Sequence, residues 1–241
     1  MILGLDMGGT HTDVVVIDGK NVIKEEKILT SDDLLSSILE AIEKVCSGGI
    51  EKKLKRIVLS TTLTTNAIVQ NKLENAGMII ETGPGLSEKY FKLNDNTHFI
   101  SGSIDHRGQV VNSLREAEIK DNKAQFKNKG IKYTGIVTKF STRNDEHEKR
   151  IKNSIQDYVE YCALGHKVSG NLNFPRRINT AFLNASVYKI HKKFVDSVKD
   201  ALKLRNIVAP VYMLKADGGT IKIEESLENP AQTITSGPAA S

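Results

Sequence analysis

The stretch Asp6-Met7-Gly8-Gly9-Thr10-His11-Thr12-Asp13 joins two short apolar runs, Ile2–Leu5 and Val14–Ile17. The pair Asp18-Gly19 follows as a hairpin signal before a third run, Val22–Ile28. The octet therefore predicts a turn between antiparallel strands. A Rossmann fingerprint or a P-loop would instead open a helix, and the octet contains neither GxGxxG nor GKS/T.

The chemistry of this octet suits a phosphate group and a metal ion. Adjacent glycines allow backbone N–H groups to approach an anion closely, as in a nest, and threonine hydroxyls add donors. A carboxylate at a strand end suits Mg²⁺ or the polarisation of a water molecule. An unliganded glycine-bearing hairpin turn is the alternative interpretation. The residues predicted to bind phosphate are Gly8, Gly9, Thr10, Thr12 and Asp13, with Asp6 predicted as catalytic and metal-binding.

Helical and strand patterns alternate along the rest of the chain. Apolar residues spaced three or four apart predict a series of helices. The predicted helices run from an N-cap at Thr30 or Ser31 to Val45, from the Ser60–Thr65 turn to Leu73, after Leu114, from Asn144 to Cys162 and from about Arg176 to Leu202. Strands are predicted at Ile57–Leu59, Met78–Ile80, Tyr133–Phe140 and Val208–Leu214. This alternation predicts an α/β fold.

Composition and charge narrow the class of protein. With 241 residues, 39% hydrophobic and 26% charged, the chain has the composition of a globular protein with a sizeable core. No apolar run approaches the roughly 18 residues of a spanning helix, and the first residues lack the pattern of a signal peptide, which predicts a cytoplasmic protein with no membrane partner. The net charge is +5, but the lysines are scattered and only 5% of residues are aromatic, so no nucleic-acid partner is predicted.

Two motifs resemble known families. The pattern Asp-x-Gly-Gly-Thr-x-Thr-Asp, on three strands and a helix, resembles the first phosphate loop of the actin, sugar-kinase and chaperone ATPase superfamily, whose members grip ATP between two ribonuclease-H-like lobes. The stretch Ser60–Ala67 resembles the hydantoinase/5-oxoprolinase motif His-Gly-Thr-Thr-x-x-Thr-Asn-Ala, with Leu59 and Ser60 in place of the histidine and glycine. Its hydroxyl groups and Asn66 are suited both to capping a helix and to facing a ligand cleft.

Three further stretches extend the resemblance over nearly the whole chain: Phe140–Glu148, Arg177–Asn184 and Ala216–Ala240. In the first, His147 has a glutamate on either side, which predicts local salt bridges rather than a metal site. In the last, Asp217-Gly218-Gly219-Thr220 and Ser236–Ala240 are similar to the family's Ser-Asp-Gly-Gly and Ser-Gly-Pro-Ala-Ala motifs.

The resemblance adds residues to the predicted site. It implies Asp217 as a second catalytic carboxylate that shares Mg²⁺ or polarises water beside Asp6. For Asp217 a hairpin turn is the alternative, and for Ser236 an N-cap at the start of a helix. The residues that the resemblance implies as cofactor-binding are Asn66, Gly218, Gly219, Ser236 and Gly237.

The resemblance also implies a fold and an activity. The fold is an α/β, ribonuclease-H-like, actin-type ATPase lobe formed by residues 1–76 and 173–241, with an inserted α/β subdomain at 77–172. The activity is Mg-ATP-dependent hydrolysis of a cyclic amide such as a hydantoin or 5-oxoproline, in which ATP phosphorylates the amide oxygen. The implied cofactors are ATP and Mg²⁺, and the implied partners are the cyclic amide and a second subunit or C-terminal lobe.

Two other functions remain open. A sugar-kinase-like or C1-pathway ATPase would use the same loop to phosphorylate a hydroxyl group. A non-catalytic nucleotide-binding or assembly module is favoured by the departure at Leu59-Ser60 and by the end of the sequence before the family's second phosphate loop. We expect the second lobe to be absent from this chain, which would leave the isolated chain without half of its phosphate grip.

Overall fold

A computed structural model describes residues 1–168 and 171–236 of the chain. The strands in these residues are, in chain order, β1 (Ile2–Met7), β2 (His11–Asp18), β3 (Asn21–Leu29), β4 (Arg56–Thr61), β5 (Ala76–Glu81), β6 (Thr97–Phe99), β7 (Ser103–Ile104), β8 (Val110–Asn112), β9 (Tyr133–Thr138), β10 (Tyr161–Leu164), β11 (Val211–Leu214) and β12 (Thr220–Lys222). The helices are α1 (Leu34–Val45), α2 (Leu63–Val69), α3 (Glu116–Asn128), α4 (Glu146–Ile155), α5 (Gly165–Val168), α6 (Phe174–Leu204) and α7 (Ile223–Ser226). None of these helices is both long and apolar enough to cross a membrane.

The chain forms two compact units. Unit 1 comprises Met1–Lys72 and Lys189–Ser241, and unit 2 comprises Leu73–Tyr188. Helix α6 contributes to both, since its residues up to Tyr188 belong to unit 2 and those from Lys189 belong to unit 1. The boundaries of the functional lobe and its insertion, at residues 76 and 173, remain predictions.

Unit 1 is built on a six-stranded sheet of order β12-β11-β4-β1-β2-β3. The first three strands of the chain are antiparallel neighbours, as predicted, while β4 runs parallel to β1 and β11 runs parallel to β4. The register places Asp6 of β1 opposite Asp13 of β2 and opposite Ser60 of β4. Two aspartates of one hairpin and a serine from a distant strand therefore form one row across the sheet.

One face of this sheet is packed against helices. Successive residues of a strand point to opposite faces of its sheet. Leu3, Leu5 and Met7 of β1 are buried in one apolar cluster with residues of α1 and α6. Gly4 and Asp6 therefore lie on the other face of the sheet, away from this core.

Helix α1 begins later than predicted. Its N-cap is Asp33, whose carboxylate accepts a hydrogen bond from the backbone N–H of Leu35 at 3.2 Å. The predicted caps have other partners: the hydroxyl of Thr30 is bonded to Thr12, and that of Ser31 is bonded to Ser37. The N-cap prediction was wrong because the Thr30 hydroxyl is engaged by strand β2 and the Ser31 hydroxyl by the side chain of Ser37 within α1, which leaves Asp33 to cap the first backbone N–H groups.

Unit 2 contains a four-stranded parallel sheet of order β10-β9-β5-β6. Every residue of β5 and β9 is buried, as expected for a parallel sheet covered on both faces. Along the chain, β6 follows on one side of β5, and β9 then follows on the other side. Because the chain is added first on one side of β5 and then on the other, β5 and β9 form a topological switch point. Ligands commonly bind beside the carboxyl ends of such strands.

The helix predicted from Asn144 to Cys162 was wrong in its second half. Helix α4 ends at Ile155, and Cys162 lies in strand β10. The backbone N–H of Glu160 donates to the carbonyl of Lys132 at 2.8 Å, which brings the chain into the sheet beside β9. Pairing with β9 therefore overrides the helical spacing of the apolar residues.

A buried histidine in unit 1 makes stability dependent on pH. His191 of α6 is 1% exposed, and its Nε2 lies 2.8 Å from the hydroxyl oxygen of Ser226. That hydroxyl donates to the carbonyl of Ile223 at 2.7 Å, so Nε2 is the donor toward Ser226. The Nδ1 atom has no hydrogen-bond partner among the described residues. Burial lowers the pKa of His191 to about 4.

We expect this histidine to destabilise the fold in mild acid. Between about pH 6.5 and pH 4 the unfolded chain binds a proton that the folded chain does not, so the free energy of unfolding falls as the pH falls through this window, by about 3 kcal/mol in total. Urea unfolding at pH 7 and pH 4.5 should show a smaller loss for His191→Gln than for the wild type. The exposed His106, replaced by Gln, serves as the control. Equal losses in wild type and His191→Gln would contradict the assignment.

Candidate functional site

The predicted catalytic carboxylate, Asp6, is held by a neighbouring strand. The hydroxyl of Ser60, which is 5% exposed, donates to Oδ1 of Asp6 at 2.5 Å. In β2, which flanks β1 on the side away from β4, the carboxylate of Asp13 lies 3.1 Å from the ammonium group of Lys27. Asp13 is therefore already ion-paired, whereas Asp6 is oriented by a neutral donor.

A cavity of about 700 Å³ lies on this face of the sheet. Its walls combine apolar residues of the central strands with the row of Asp6, Asp13 and Ser60. The residues that line it are Gly4, Leu5, Asp6, Asp13, Val14, Val15, Glu25, Glu26, Lys27, Val58, Leu59, Ser60 and Leu214. A partly apolar cavity with a few converging polar groups is typical of small-molecule sites.

The turn after β1, residues 8–10, brings protein atoms close to both of its glycines. We call it the glycine turn. The backbone N–H of Gly8 donates to the carbonyl of His11 at 2.9 Å, and a Cβ on Gly8 would lie 2.8 Å from that oxygen. A Cβ on Gly9 would lie 2.8 Å from Nδ2 of Asn66. Neither Gly8 nor Gly9 has a positive φ, so glycine is required here for close approach rather than for left-handed backbone.

The two glycines should differ in their tolerance of alanine. A methyl group on Gly8 meets a backbone carbonyl that is fixed by a hydrogen bond, while one on Gly9 meets the end of a side chain that can rotate. We expect Gly8→Ala to lower the free energy of unfolding by about 2 kcal/mol and Gly9→Ala to lower it by less. Urea unfolding of the two variants checks this order. A Gly9→Ala variant that is the less stable of the two would contradict it.

Thr10 of the glycine turn and Thr12 of strand β2 occupy different environments. Thr12 is fully buried, and its hydroxyl lies 2.9 Å from that of Thr30. Thr10 is exposed, and its carbonyl accepts a hydrogen bond from the backbone N–H of Thr30 at 2.9 Å. Thr12 thus ties the turn to the segment that precedes α1, and Thr10 is the threonine that faces solvent. Phosphate binding by Thr12 remains a prediction, with its hydroxyl already bonded within the protein.

In the strand-to-helix segment after Ser60, Thr61 makes the contacts that suit helix capping, and Asn66 makes contacts that suit both helix capping and a ligand cleft. The hydroxyl of Thr61 accepts from the backbone N–H of Leu63 at 3.1 Å and donates to the carbonyl of Met7 at 3.1 Å. Thr61 therefore satisfies the start of α2 and joins it to the end of β1. The side-chain amide of Asn66 packs against Gly9 and also donates to the hydroxyl of Thr62 at 3.4 Å, so both roles stay open for this residue.

A third segment reaches the same place from the far end of the chain. The backbone N–H of Thr235 donates to the hydroxyl of Thr65 at 2.9 Å, and the hydroxyl of Ser236 donates to the carbonyl of Thr61 at 3.2 Å. Thr235 has φ +64°, which is unusual for a β-branched residue and is a form of strain that concentrates at functional sites. Gly237, predicted to bind the cofactor, lies outside the described residues, as does any helix that Ser236 would cap.

Asp217 is not brought to Asp6 by these contacts. Its carboxylate lies 2.9 Å from the ammonium group of Lys215 and accepts from the backbone N–H of Gly219 at 2.9 Å. The Lys215 ammonium lowers the pKa of Asp217. Gly218 has φ +79° in the turn between β11 and β12. The hairpin-turn alternative accounts for all of these contacts, and ligand roles for Asp217, Gly218 and Gly219 remain predictions.

The arrangement around Asp6 is compatible with Mg²⁺ carried by a nucleotide. Among residues 1–168 and 171–236, no three histidine, cysteine, aspartate or glutamate side chains are placed to hold a metal ion. Magnesium that is bound together with phosphates needs only one or two protein carboxylates. A single carboxylate, Asp6, beside the glycine turn fits this requirement.

A glycine turn after the first strand of an antiparallel β1-β2-β3 set, continued by parallel β4 and β11, is the α/β fold that was predicted for this lobe, with unit 2 inserted in the sequence of unit 1. The predicted fold class is confirmed by two solved structures. Acetone carboxylase in its nucleotide-free form superposes with a TM-score of 0.82 at 19% identity, over 99% of this chain and 39% of that chain. The ATP-dependent caprolactamase from Pseudomonas jessenii superposes with a TM-score of 0.78 at 20% identity, over 100% and 39%.

The family follows from the sequence. Residues 2–159 match the hydantoinase/oxoprolinase N-terminal region, and residues 177–241 match hydantoinase/oxoprolinase. The chain belongs to the hydantoinase/oxoprolinase family.

Several curated relatives are longer than this chain. They include an uncharacterised protein of Methanocaldococcus jannaschii (25% identical), the acetophenone carboxylase gamma subunit of Aromatoleum aromaticum (24%) and the caprolactamase subunit alpha of Pseudomonas jessenii (21%). Each comparison covers 99% of this chain and 38% of the relative. The chain thus spans well under half of the length of these relatives.

Proposed function

We propose that unit 1 binds the phosphates of Mg-ATP at residues 6–13, and that the chain is the N-terminal lobe of an enzyme that opens a cyclic amide. One observation carries this proposal: three segments distant in sequence meet around a turn in which Gly8 lies against a backbone carbonyl and Gly9 lies against the side-chain amide of Asn66. Backbone that must be approached closely is typical of phosphate sites. Family membership and the caprolactamase relative support the choice of an amide substrate.

Each residue has a proposed task. Asp6, oriented by Ser60, holds the metal ion or its water. Gly9 presents its backbone to phosphate, and Asn66 is positioned beside it to donate from its amide. Thr10 adds a hydroxyl from the exposed tip of the turn. When bound, Mg-ATP would supply the phosphoryl group that, once on the amide oxygen, activates the amide carbon toward attack by water, a chemistry that depends chiefly on positioning and charge.

A second substrate class is favoured by another relative. The acetophenone carboxylase gamma subunit is named for a ketone, and a ketone that has lost the proton next to its carbonyl carries an enolate oxygen that ATP can phosphorylate. The alternative of a ketone-carboxylating enzyme therefore shares the proposed ATP site and differs in the acceptor. The relatives named as subunits also support a further lobe or subunit as the partner of this chain.

The experiment that separates these functions is ADP release by the protein in its natural assembly. Hydantoin, 5-oxoproline and caprolactam are offered in one series, and acetone and acetophenone with bicarbonate in another, each with and without Mg²⁺. Magnesium-dependent ADP release that rises with a cyclic amide supports the proposal. Stimulation by ketones alone would replace the amidase with the carboxylase, and stimulation by neither series would contradict both.

A further inference from the structure

A second cavity lies in unit 2, beside the carboxyl ends of strands β9 and β10. Its volume is about 560 Å³, which is within the range of small-molecule sites. The segment after β9 forms most of its wall, and this segment belongs to the family-like stretch Phe140–Glu148, to which the ATP site assigns no role. The residues that line it are Gly108, Ser141, Thr142, Arg143, Asn144, Asp145 and His166.

A fully buried carboxylate fixes the histidine in this wall. Glu148 is 0% exposed, and its Oε2 accepts from the backbone N–H of His166 at 2.9 Å and lies 2.6 Å from Nδ1 of the same residue. Its Oε1 accepts from the backbone N–H of Thr138 at 2.9 Å. Because a carboxylate only accepts hydrogen bonds, Nδ1 of His166 carries the proton. The opposite ring nitrogen, Nε2, is thereby directed along the wall, 3.4 Å from Asp145.

Asp145 is neutralised by a neighbour on its own helix. Its carboxylate lies 2.8 Å from the ammonium group of Lys149, which holds the pKa of that carboxyl below its usual range. Among the described residues that line the cavity, Asp145 provides the only carboxylate. Since this carboxylate is paired, its side of the cavity is not strongly negative.

Two groups in the wall offer donors with no acceptor. The hydroxyl of Thr142 is buried and has no hydrogen-bond partner among residues 1–168 and 171–236. Arg143 is exposed, and the structure shows no ion pair or hydrogen bond for its guanidinium within the same residues. A buried polar group without a partner costs stability, and a bound ligand or ion commonly explains one. The loop itself is held firmly, since the side-chain amide of Asn144 donates to the carbonyl of Gly108 at 2.9 Å.

We propose that this cavity binds a small oxyanion, a carboxylate or a phosphate, through donation from the guanidinium of Arg143 and the hydroxyl of Thr142, in a wall that also contains the imidazole of His166. Since Nδ1 of His166 carries the proton, its Nε2 is an acceptor, and the one carboxylate in the lining, that of Asp145, is paired with Lys149. Glu148 acts as a positioning residue, since it sets the direction of Nε2 in His166. This site is independent of the ATP site in unit 1 and does not rest on the proposed function.

The test follows the imidazole resonances of His166 by NMR while sodium phosphate or sodium acetate is added at constant ionic strength, with sodium chloride as the reference. The wild type should show a saturable shift with at least one oxyanion and none with chloride. Phosphate alone would identify a phosphate site, and acetate alone a carboxylate site. Arg143→Gln should weaken binding about tenfold, as expected for the loss of a charge-assisted hydrogen bond.

Two further variants make the test specific. Arg107→Gln removes the same charge from the neighbouring turn, but the guanidinium of Arg107 is already paired with Asp105, so binding should stay within about twofold of the wild type. Thr142→Val should weaken oxyanion binding while leaving the oxyanion-free protein at least as stable, because it removes an unpartnered buried hydroxyl. Absence of saturable binding in the wild type, or equal weakening by Arg107→Gln and Arg143→Gln, would overturn the proposal.

Discussion

Replacing Asp6 with asparagine is expected to lower ATP hydrolysis by the assembled enzyme about a hundredfold. The substitution keeps the size of the side chain and its hydrogen bond with Ser60, but it removes the charge that we propose holds the metal ion. Phosphoryl transfer depends largely on such fixed charge and positioning, and the loss of one group of this kind commonly costs a hundredfold or more. Steady-state ADP release at saturating Mg-ATP measures the effect.

The matched control is Asp18→Asn. Asp18 is an exposed carboxylate at the far end of strand β2, and its nearest cation is the amino terminus, 3.8 Å away. The same chemical change there should leave ADP release within about twofold of the wild type. If Asp6→Asn retained more than a tenth of the wild-type rate, the proposed role of Asp6 would be wrong.

Replacing Arg177 with leucine is expected to cost unit 2 about 3 kcal/mol of stability. The side chain is 0% exposed. Its guanidinium donates to the carbonyl of Thr138 at 3.0 Å, to the hydroxyl of Ser141 at 2.6 Å and to the carbonyl of Lys139. Leucine would leave these acceptors buried without donors. This cost in free energy is larger than the gain from no longer having to bury a charged side chain. Burial already lowers the pKa of Arg177.

Urea unfolding of Arg177→Leu beside Arg176→Leu measures this effect. Arg176 is the preceding residue of helix α6 and is exposed, so its replacement should change the free energy of unfolding by less than about 0.5 kcal/mol. A difference between the variants of under 1 kcal/mol would show that the buried arginine does not hold the segment after β9. Ser141, which Arg177 holds, also lines the cavity of unit 2. Arg177→Leu should therefore weaken oxyanion binding there.

Local patterns in the sequence predicted the elements that depend on local chemistry. The alternating apolar residues and the Asp18-Gly19 turn define β1, β2 and β3, and the long periodic pattern from Arg176 defines most of α6. Side-chain contacts that a local pattern does not show explain the errors. Thr30 was available as a cap by sequence but is bonded to Thr12 of β2, and Ser31 is bonded to Ser37 within α1. His147 was expected to pair with an adjacent glutamate, yet its Nδ1 lies 2.5 Å from Glu81 of strand β5.

The candidate site was predictable as a set of motifs, but its internal contacts were not. The bond between Ser60 and Asp6 joins residues 54 positions apart, and that between Thr235 and Thr65 joins residues 170 apart. Both depend on strand register and on the return of the chain, which a single sequence does not reveal. Ser60 was visible only as a departure from the family motif, and no local signal marked it as the partner of Asp6.

Titration of the protein with Mg-ATP by calorimetry, beside the Gly9→Ala variant, tests the central claim most directly. Gly9→Ala should fold with little loss of stability, since the end of the Asn66 side chain can move, yet its methyl group would occupy the space that phosphate needs. The proposal predicts saturable binding at one site in the wild type and loss of that binding in Gly9→Ala. Wild-type protein that binds no Mg-ATP, or a variant that binds it equally well, would contradict a phosphate site at the glycine turn.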